Sequence, residues 1–151
     1  MVNNTPTSSV NSLEIEINKK ATAVNLEGKK IVWVEDDQLL SDIISRKLSQ
    51  TKCILFRTEK GEEALKIIDE KMPDVIMLDI ILPGMDGFEI LRRIKSNPKI
   101  NRIPVILLSN LSQASDIKKG KSLGAVKFMV KATVTPNDII EQIKEVLNDV
   151  K

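Results

Sequence analysis

Short apolar runs alternate with segments of helical periodicity along most of this chain. Runs of branched apolar residues predict five strands, at 30–35, 53–58, 74–79, 104–109 and 126–131. After each strand, apolar residues recur three and four positions apart, which is the spacing of an amphipathic helix. These helical segments cover 39–48, 64–68, 88–94, 112–123 and 139–147, of which 112–123 has the weakest pattern. Strands and helices that alternate in this way predict an α/β protein, with a parallel sheet covered by helices on both faces.

Local signals mark where three of the helices start. Asp36 and Asp37 precede the first helix, and Gly61 precedes the second. The pair Thr135-Pro136 opens the last helix, where proline is tolerated because the first helical N–H has no partner within the helix. These signals agree with the boundaries that the apolar spacing predicts.

Residues 1–28 differ in composition from the rest of the chain. They are rich in Asn, Thr and Ser, which predicts a flexible N-terminal tail before a single domain at 29–151. Within this tail, Leu13, Ile15 and Ile17 alternate with polar residues, as in a half-buried strand. Two interpretations of this segment stay open, a solvated tail or a strand that lies on a sheet edge or on a partner.

The composition is that of a single globular domain. The chain has 151 residues, of which 42% are hydrophobic and 29% charged, and its net charge is only +2. This balance gives no reason to expect a nucleic-acid or membrane-surface partner. No apolar stretch approaches the roughly 20 residues that span a bilayer, and the N-terminus lacks the pattern of a signal peptide. A cytoplasmic location is therefore expected.

Two residue types narrow the chemistry further. The sequence contains no histidine, which excludes His-based acid–base catalysis, His metal sites and an internal phosphohistidine donor. Its one cysteine, Cys53, lies in an apolar run and is interpreted as a small buried hydrophobic residue.

Polar side chains stand at the ends of four predicted strands. They are Glu35, Asp36 and Asp37 after the first strand, Asp79 after the third, Ser109 and Asn110 after the fourth, and Lys131 after the fifth. The carboxyl ends of parallel strands meet at one edge of a sheet, so these groups are expected to share a crevice. Carboxylates forced together repel each other, and Mg²⁺, which prefers oxygen ligands, relieves that repulsion. With a lysine and a hydroxyl, the set predicts a phosphoryl-accepting site in which Asp79 attacks phosphorus.

Each of these residues also has an ordinary interpretation when taken alone. Acidic residues after a strand often cap the next helix, and Ser109 and Lys131 alone fit a strand end and an exposed lysine. Asp79 is harder to explain in this way, because it interrupts the apolar run 75–82 and precedes a Pro-Gly turn. The joint occurrence at four neighbouring strand ends favours a functional site.

With these groups at its strand ends, the sequence resembles the receiver domain of two-component response regulators. The resemblance runs from Lys29 to Val150 and rests on "IVWVEDDQLL", "EKGEEAL", "PDVIMLDIILPGMDGFEILRRIK", "IPVILLS" and "LGAVKFMVKA". It implies a doubly wound (βα)5 flavodoxin-like fold, with a five-stranded parallel sheet in the order 2-1-3-4-5. It also implies phosphorylation of an aspartate by a histidine kinase or phosphotransfer protein with Mg²⁺, or with Mn²⁺ in its place. Such a protein signals and is not an enzyme, since it catalyses only its own aspartyl phosphorylation and dephosphorylation.

The resemblance assigns a phosphoacceptor and a set of metal ligands. Asp79 corresponds to the phosphoacceptor. Glu35 and Asp36 correspond to the acidic pair, with Asp36 as the direct metal ligand and Glu35 acting through water. Asp79 and the backbone carbonyl of Ile81 complete the protein's share of the coordination.

Three further residues correspond to the switch of the family. Ser109 matches the switch hydroxyl, and Lys131 matches the phosphate-binding lysine. Phe128 matches the aromatic residue whose rotamer reports activation.

The sequence departs from the family pattern at two positions. Asn110 follows the switch hydroxyl, where the family usually has a smaller residue. Ala132 follows Lys131 in place of proline, so a trans peptide bond is expected here, because a cis bond before a non-proline residue costs about 3–4 kcal/mol. Asn110, Leu111 and Ile81 are expected to flank the approach of water to a phosphorylated Asp79.

Three other functions could use a similar fold or a strand-end aspartate. A phosphatase of the haloacid-dehalogenase type needs a second acid two residues after the nucleophile, where this chain has Ile81. A flavin-binding module needs a Ser/Thr/Gly-rich loop after the first strand and stacking aromatics, but this chain has acids there and only three Phe and one Trp. A pseudo-receiver, which keeps the fold and binds a partner without phosphorylation, stays open.

No further domain is expected after the last helix. The output would then pass through contact with a downstream protein or a second copy, on the face built from the fourth helix, the fifth strand and the fifth helix. A receiver fragment of a larger hybrid protein is the alternative.

Overall fold

The computed structural model of the protein describes residues 25–149, in which strands and helices alternate as the sequence predicts. The strands are β1 (Lys30–Val34), β2 (Ile54–Thr58), β3 (Val75–Leu78), β4 (Val105–Ser109) and β5 (Lys127–Val130). The helices are α1 (Gln38–Ser49), α2 (Gly61–Lys71), α3 (Gly87–Ser96), α4 (Ala114–Ser122) and α5 (Pro136–Asp149). A short 3₁₀ helix, Lys131–Thr133, follows β5. The predicted strand-like segment 13–18 lies outside the described residues.

The five strands form one parallel sheet in the order β2-β1-β3-β4-β5, which confirms the implied order. The register places Val34 of β1 opposite Leu78 of β3, so the residues that follow these strands leave the sheet side by side. All strands point the same way, and their carboxyl ends therefore form a single edge. This edge is where the predicted polar groups lie.

Helices cover both faces of the sheet, and each face has its own apolar core. On one face, Ala64 and Ile68 of α2 and Leu91 of α3 are fully buried against β1, β3 and β4. On the other face, Leu48 of α1 and Ile143 of α5 are fully buried in a cluster that also contains Trp33 and Met77. Because the central strands are buried on both faces, they appear in the sequence as continuous apolar runs.

Side-chain caps explain why several helices begin where they do. Asp37 accepts a hydrogen bond from the N–H of Leu40 at 3.1 Å and caps α1. At α5, the Thr135 hydroxyl accepts from the N–H of Asp138 at 3.1 Å, and the Asp138 carboxylate accepts from the N–H of Thr135 at 2.7 Å. Both caps satisfy N–H groups that have no partner within their helix. The predicted helix starts at Asp37 and at Thr135-Pro136 are confirmed.

The packed part of the chain reaches further toward the N-terminus than the boundary predicted at residue 29. Leu26 is only 1% exposed and packs in the core cluster on the α1 and α5 face. The N–H of Gly28 donates to the carbonyl of Lys52 at 3.0 Å. A single leucine in a polar stretch has no periodicity, so the sequence pattern did not reveal its burial. Whether residues 1–24 form a tail stays a prediction.

Among the helices of residues 25–149, none has both the length and the apolar character that crossing a bilayer requires.

Candidate functional site

Three carboxylates meet at the carboxyl edge of the sheet. Glu35 and Asp36 follow β1 directly, and Asp79 follows β3. One oxygen from each lies within 4.8 Å of the other two. Glu35 and Asp79 are only 2% and 4% exposed, whereas Asp36 is open to solvent. The cluster is therefore buried on one side and accessible on the other.

Lys131 reaches into this cluster from the end of β5 and contacts both buried carboxylates. Its Nζ atom lies 2.7 Å from Oε1 of Glu35 and 2.9 Å from Oδ2 of Asp79. It also donates a hydrogen bond to Oε2 of Glu35 at 2.9 Å. The sequence predicts Lys131 in the same crevice as these acids, and the structure brings all three together.

Backbone N–H groups hold the two carboxylates in place. The N–H of Ile81 points at Oδ1 of Asp79 from 3.3 Å, and the N–H of Asp37 points at Oε2 of Glu35 from 3.2 Å. The Oε1 atom of Glu35 is buried and lies 2.7 Å from Lys131 Nζ in an ion pair. Both oxygens of the Glu35 carboxylate therefore face the Lys131 ammonium group.

Burial and the neighbouring charges shift the pKa values of Glu35 and Lys131. The pKa of Glu35 is raised to about 7, mainly by burial and also by the neighbouring Asp79 carboxylate, while the hydrogen bond from Lys131 acts to lower it. Burial alone would lower the pKa of Lys131, but the two carboxylates more than offset this and raise the pKa above its ordinary value. Lys131 therefore stays protonated between Glu35 and Asp79.

The donor set fits a hard divalent cation. Oxygen ligands from two or three carboxylates, with one open side for water, are what Mg²⁺ prefers. One oxygen from each of the three residues lies within 4.8 Å of the others, close enough for all three to share one ion. The cluster of Glu35, Asp36 and Asp79 fits the magnesium site of a receiver domain. The predicted ligation by the Ile81 carbonyl stays a prediction.

Ser109 ends β4 and is fully buried. Its hydroxyl oxygen accepts a hydrogen bond from the N–H of Leu111 at 3.3 Å, within the loop that leads to α4. Phe128 lies on β5 opposite Leu107 of β4 and is half-buried. A Cβ atom on Gly120 of α4 would lie 3.1 Å from the Phe128 ring, so the ring packs closely on that helix.

The residues predicted to flank the approach to Asp79 differ in exposure. Ile81 is 58% exposed, although it follows an apolar strand. Asn110 is exposed and Leu111 is half-buried. Apolar surface therefore lies next to the carboxylate cluster.

The loop after β5 takes the trans geometry expected from the sequence. No cis peptide bond occurs among residues 25–149, so the bond between Lys131 and Ala132 is trans. Lys131 still reaches the carboxylates, because the 3₁₀ helix begins at this residue and directs its side chain into the crevice.

Gly87 is a site residue whose role the sequence pattern does not predict. Its N–H donates to the carbonyl of Ile80 at 2.7 Å, which closes the loop between β3 and α3. A Cβ atom at this position would lie 2.2 Å from the carbonyl oxygen of Asp79. Glycine therefore allows α3 to start directly against the backbone of Asp79. The signal was present in the "LPGMDG" motif, but only the fold shows its cause.

Residues 31–144 match the model of the response regulator receiver domain. The chain belongs to the response regulator receiver family. This places it in two-component signalling, as the resemblance implied, and not among the phosphatases or flavin-binding modules. Receiver domains interact with histidine kinases and with output domains, and their family serves in signalling and not in conventional enzyme catalysis.

Similar proteins agree with this assignment in sequence and in fold. The phosphate regulon transcriptional regulatory protein PhoB of Rhizobium meliloti is 32% identical over 122 residues, which cover 81% of this chain and 53% of that protein. The BeF3-activated receiver domain of Klebsiella pneumoniae RstA is 28% identical, with a TM-score of 0.72 over 79% of this chain and 98% of that chain. A response regulator of Chloroflexus aurantiacus is 26% identical, with a TM-score of 0.74 over 80% of this chain and 98% of that chain.

The matched region spans about half the length of the first curated relatives, 53% in PhoB and 50% in a ycf27 regulator of Guillardia theta.

Proposed function

We propose that Asp79 accepts a phosphoryl group from a phosphohistidine of a histidine kinase or phosphotransfer protein. One observation supports this most directly: Asp79 is a buried carboxylate with Lys131 Nζ at 2.9 Å and two further acids beside it. A carboxylate oxygen of Asp79 attacks phosphorus and forms the new P–O bond. The P–N bond to the donor imidazole breaks, and its electron pair stays on that nitrogen.

The surrounding side chains orient this transfer and stabilise its charge. Lys131 already contacts Oδ2 of Asp79, so a small movement of Nζ brings it to an oxygen of the arriving phosphoryl group. The Ser109 hydroxyl donates a hydrogen bond to another phosphoryl oxygen. Asp36, Asp79 and the Ile81 carbonyl would hold Mg²⁺ directly and Glu35 would hold it through water, and the ion would supply positive charge against the phosphoryl oxygens. Mn²⁺ has similar ligand preferences and would serve in its place.

Phosphorylation is coupled to an output surface through Ser109 and Phe128. When the Ser109 hydroxyl turns toward the phosphoryl group, it leaves the Leu111 N–H that it now contacts at 3.3 Å. The vacated space admits the Phe128 ring, which gives the domain two arrangements of one element. Phe128 also lines a groove of about 410 Å³ between β5 and α5. A downstream protein or a second copy would bind this α4–β5–α5 face.

The domain boundaries and the location of the protein follow the same proposal. The receiver domain would occupy 29–151, with residues 1–28 as an N-terminal extension whose Leu26 packs in the core. A cytoplasmic location fits a phosphodonor of the histidine kinase class, whose phosphorylated histidine meets its receiver inside the cell.

Mass spectrometry after incubation with Mg²⁺ and a small phosphodonor tests the phosphoacceptor. The wild type should gain one phosphoryl group and Asp79→Asn should gain none. Asp116→Asn, an acid in the first turn of α4, is the control and should behave as the wild type. An unmodified wild type that nevertheless binds Mg²⁺ would show a pseudo-receiver instead.

The switch has its own experiment. Ser109→Ala should still accept the phosphoryl group, because the nucleophile and Lys131 are unchanged, but Phe128 should keep its free-state rotamer. Structures of wild type and variant, each with and without beryllofluoride, compare the ring positions. A Phe128 ring that stays in place when the wild type binds beryllofluoride would contradict the coupling.

A further inference from the structure

Among residues 25–149, strand β2 lies at one edge of the sheet and pairs with β1 alone. The N–H of Ile54 donates to Lys29 at 2.8 Å, and the carbonyl of Thr58 accepts from Glu35 at 3.0 Å. In a parallel pair, alternate residues direct both backbone groups to the same neighbour. The N–H and carbonyl groups of Leu55 and Arg57 therefore point away from the sheet and form an open row.

One face of this edge is also incompletely covered. Ile54 is 45% exposed, and Phe56, on the same side of the strand, is half-buried. Lys71 at the end of α2 reaches the Phe56 ring with Nζ 5.6 Å from the centroid, and the next residue, Met72, is 42% exposed. An edge strand with exposed apolar side chains readily pairs with another strand.

The N-terminal part of the chain approaches the domain beside this edge. Leu26 is buried, and Gly28 bonds to Lys52, two residues before β2 begins. Asn18 and Asn25 are separated by seven peptide steps, which reach at most about 25 Å. Residues 13–18 therefore have access to β2 from the position at which the chain joins the fold.

We propose that residues 13–18 pair with the free edge of β2 as an antiparallel strand. Their sequence, "LEIEIN", has the alternation of a strand with one apolar and one polar face. The antiparallel direction follows from the place where the N-terminal part of the chain joins the fold, beside Lys52. A segment that ends near Lys52 needs only a short connection, whereas a parallel strand would end at Thr58 and the connection would have to return along the whole of β2.

The two faces of the segment match the two faces of the edge. Leu13, Ile15 and Ile17 would extend the apolar surface of Ile54 and Phe56. Glu14 and Glu16 would then lie on the opposite face, with Arg57. The Arg57 guanidinium bonds Asp42 at 2.7 Å and its side chain is 36% exposed, so it has room for a second carboxylate. This pairing is independent of the phosphorylation site.

Amide hydrogen exchange in the full chain, resolved by NMR, tests the pairing. Glu16 stands opposite the outward-pointing residues of β2 in this pairing, so Glu16→Pro removes a donor that faces β2 and interrupts the strand. The Leu55 and Arg57 amides should exchange about tenfold faster in Glu16→Pro than in the wild type. The Phe56 and Thr58 amides, which point to β1, serve as internal controls and should not change.

The variant Ser8→Pro provides the matched control, since it lies in the same part of the chain but outside the segment. It should leave the Leu55 and Arg57 amides protected. Equal exchange of these two amides in wild type and Glu16→Pro would overturn the proposal. Protection that increases with protein concentration would also overturn it, because it would assign the edge to a second copy.

The single cysteine allows a test of the strand direction. Cys53 packs on the same face of β2 as Leu55, which is the face expected for the polar side of the segment. Under mild oxidation, Asn18→Cys should form an intramolecular disulfide with Cys53 much faster than Glu14→Cys does. Faster closure by Glu14→Cys would overturn the antiparallel direction. Disulfide-linked dimers would overturn pairing within one chain.

Discussion

At the scale of single residues, the site depends on the charge of Lys131. Its ammonium group is the cation that lies between Glu35 and Asp79, two carboxylates that are almost fully buried. Without this cation, the two acids would face each other in a region of low dielectric. The residue that is proposed to bind phosphate therefore also stabilises the unphosphorylated fold.

Replacing Lys131 should destabilise the protein in the absence of metal. Lys131→Ala leaves two buried carboxylates without their cation, so we expect a loss of about 2–4 kcal/mol in the free energy of unfolding. Urea denaturation in a chelator measures this loss. Added Mg²⁺ should stabilise the variant more than the wild type, because the ion replaces part of the missing charge.

Lys127→Ala is the matched control, since Lys127 pairs with Glu145 at 3.4 Å on the surface. Its loss should be at most about 0.5 kcal/mol. If Lys131→Ala and Lys127→Ala were equally stable, the proposed charge balance in the crevice would be wrong.

The residues around Asp79 should also determine how long a phosphoryl group survives. Hydrolysis needs a water in line with the new P–O bond, and Ile81 and Leu111 offer no hydrogen bond to orient it. Each 1.4 kcal/mol of lost positioning lowers the rate about tenfold. The phosphorylated wild type should therefore decay slowly, and the double variant Ile81→Asn, Leu111→Glu should decay faster. The decay of the phosphorylated protein is followed by mass spectrometry; similar rates for both proteins would rule out this shielding.

The sequence could predict which residues meet in the crevice, but it could not predict their contacts. Glu35, Asp36, Asp79 and Lys131 were predictable because each stands directly at a strand end. The ion pair of Lys131 with both buried acids was not, since side-chain conformations at a shared edge depend on the packed structure. The Ile81 N–H on Asp79 was missed because a backbone donor has no signal in the side-chain pattern.

At the scale of elements, the loop between β3 and α3 fixes the position of the candidate phosphoacceptor. Gly87 closes this loop onto Ile80, and α3 begins against the carbonyl of Asp79. Asp86 accepts from the N–H of Glu89 at 3.0 Å and caps the helix. The helix start, the loop and the carboxylate are therefore parts of one rigid connection.

A methyl group at Gly87 should disturb this connection. In Gly87→Ala, Cβ would lie 2.2 Å from the Asp79 carbonyl oxygen, and backbone must move to make room. We expect a loss of about 3 kcal/mol in stability, together with weaker Mg²⁺ binding. Gly84→Ala in the same loop is the control: φ is +85° there and no atom lies within 4 Å of the added Cβ, so only backbone strain of about 1 kcal/mol is expected. Equal losses in the two variants would show that the close approach at Gly87 has no special effect.

Element order was the most predictable part of the fold. Strands buried on both faces produce continuous apolar runs, and helices on the surface produce three-and-four spacing, so both were visible in the sequence. The 3₁₀ helix at Lys131–Thr133 was not, because three residues are too few to show a period. The order of the strands was implied by the family resemblance and does not follow from periodicity.

At the scale of the whole molecule, the carboxylate cluster couples ion binding to folding. Glu35 and Asp36 follow β1 and Asp79 follows β3, so their oxygens converge only when the sheet has formed. An ion that needs all three therefore binds the folded state and not the unfolded chain. Such binding raises the free energy of unfolding by an amount set by the ion's occupancy.

Asp36 and Asp37 are adjacent acids that should respond differently to Mg²⁺. At about ten times its dissociation constant, Mg²⁺ should stabilise the wild type by about 1.4 kcal/mol. Asp36→Ala removes a ligand and should abolish most of this gain. Asp37→Ala removes the cap of α1, which should lower stability by about 1 kcal/mol but leave the gain from Mg²⁺ intact. Thermal melts of the three proteins with and without Mg²⁺ separate the two roles, and an equal Mg²⁺ response in wild type and Asp36→Ala would remove Asp36 from the metal site.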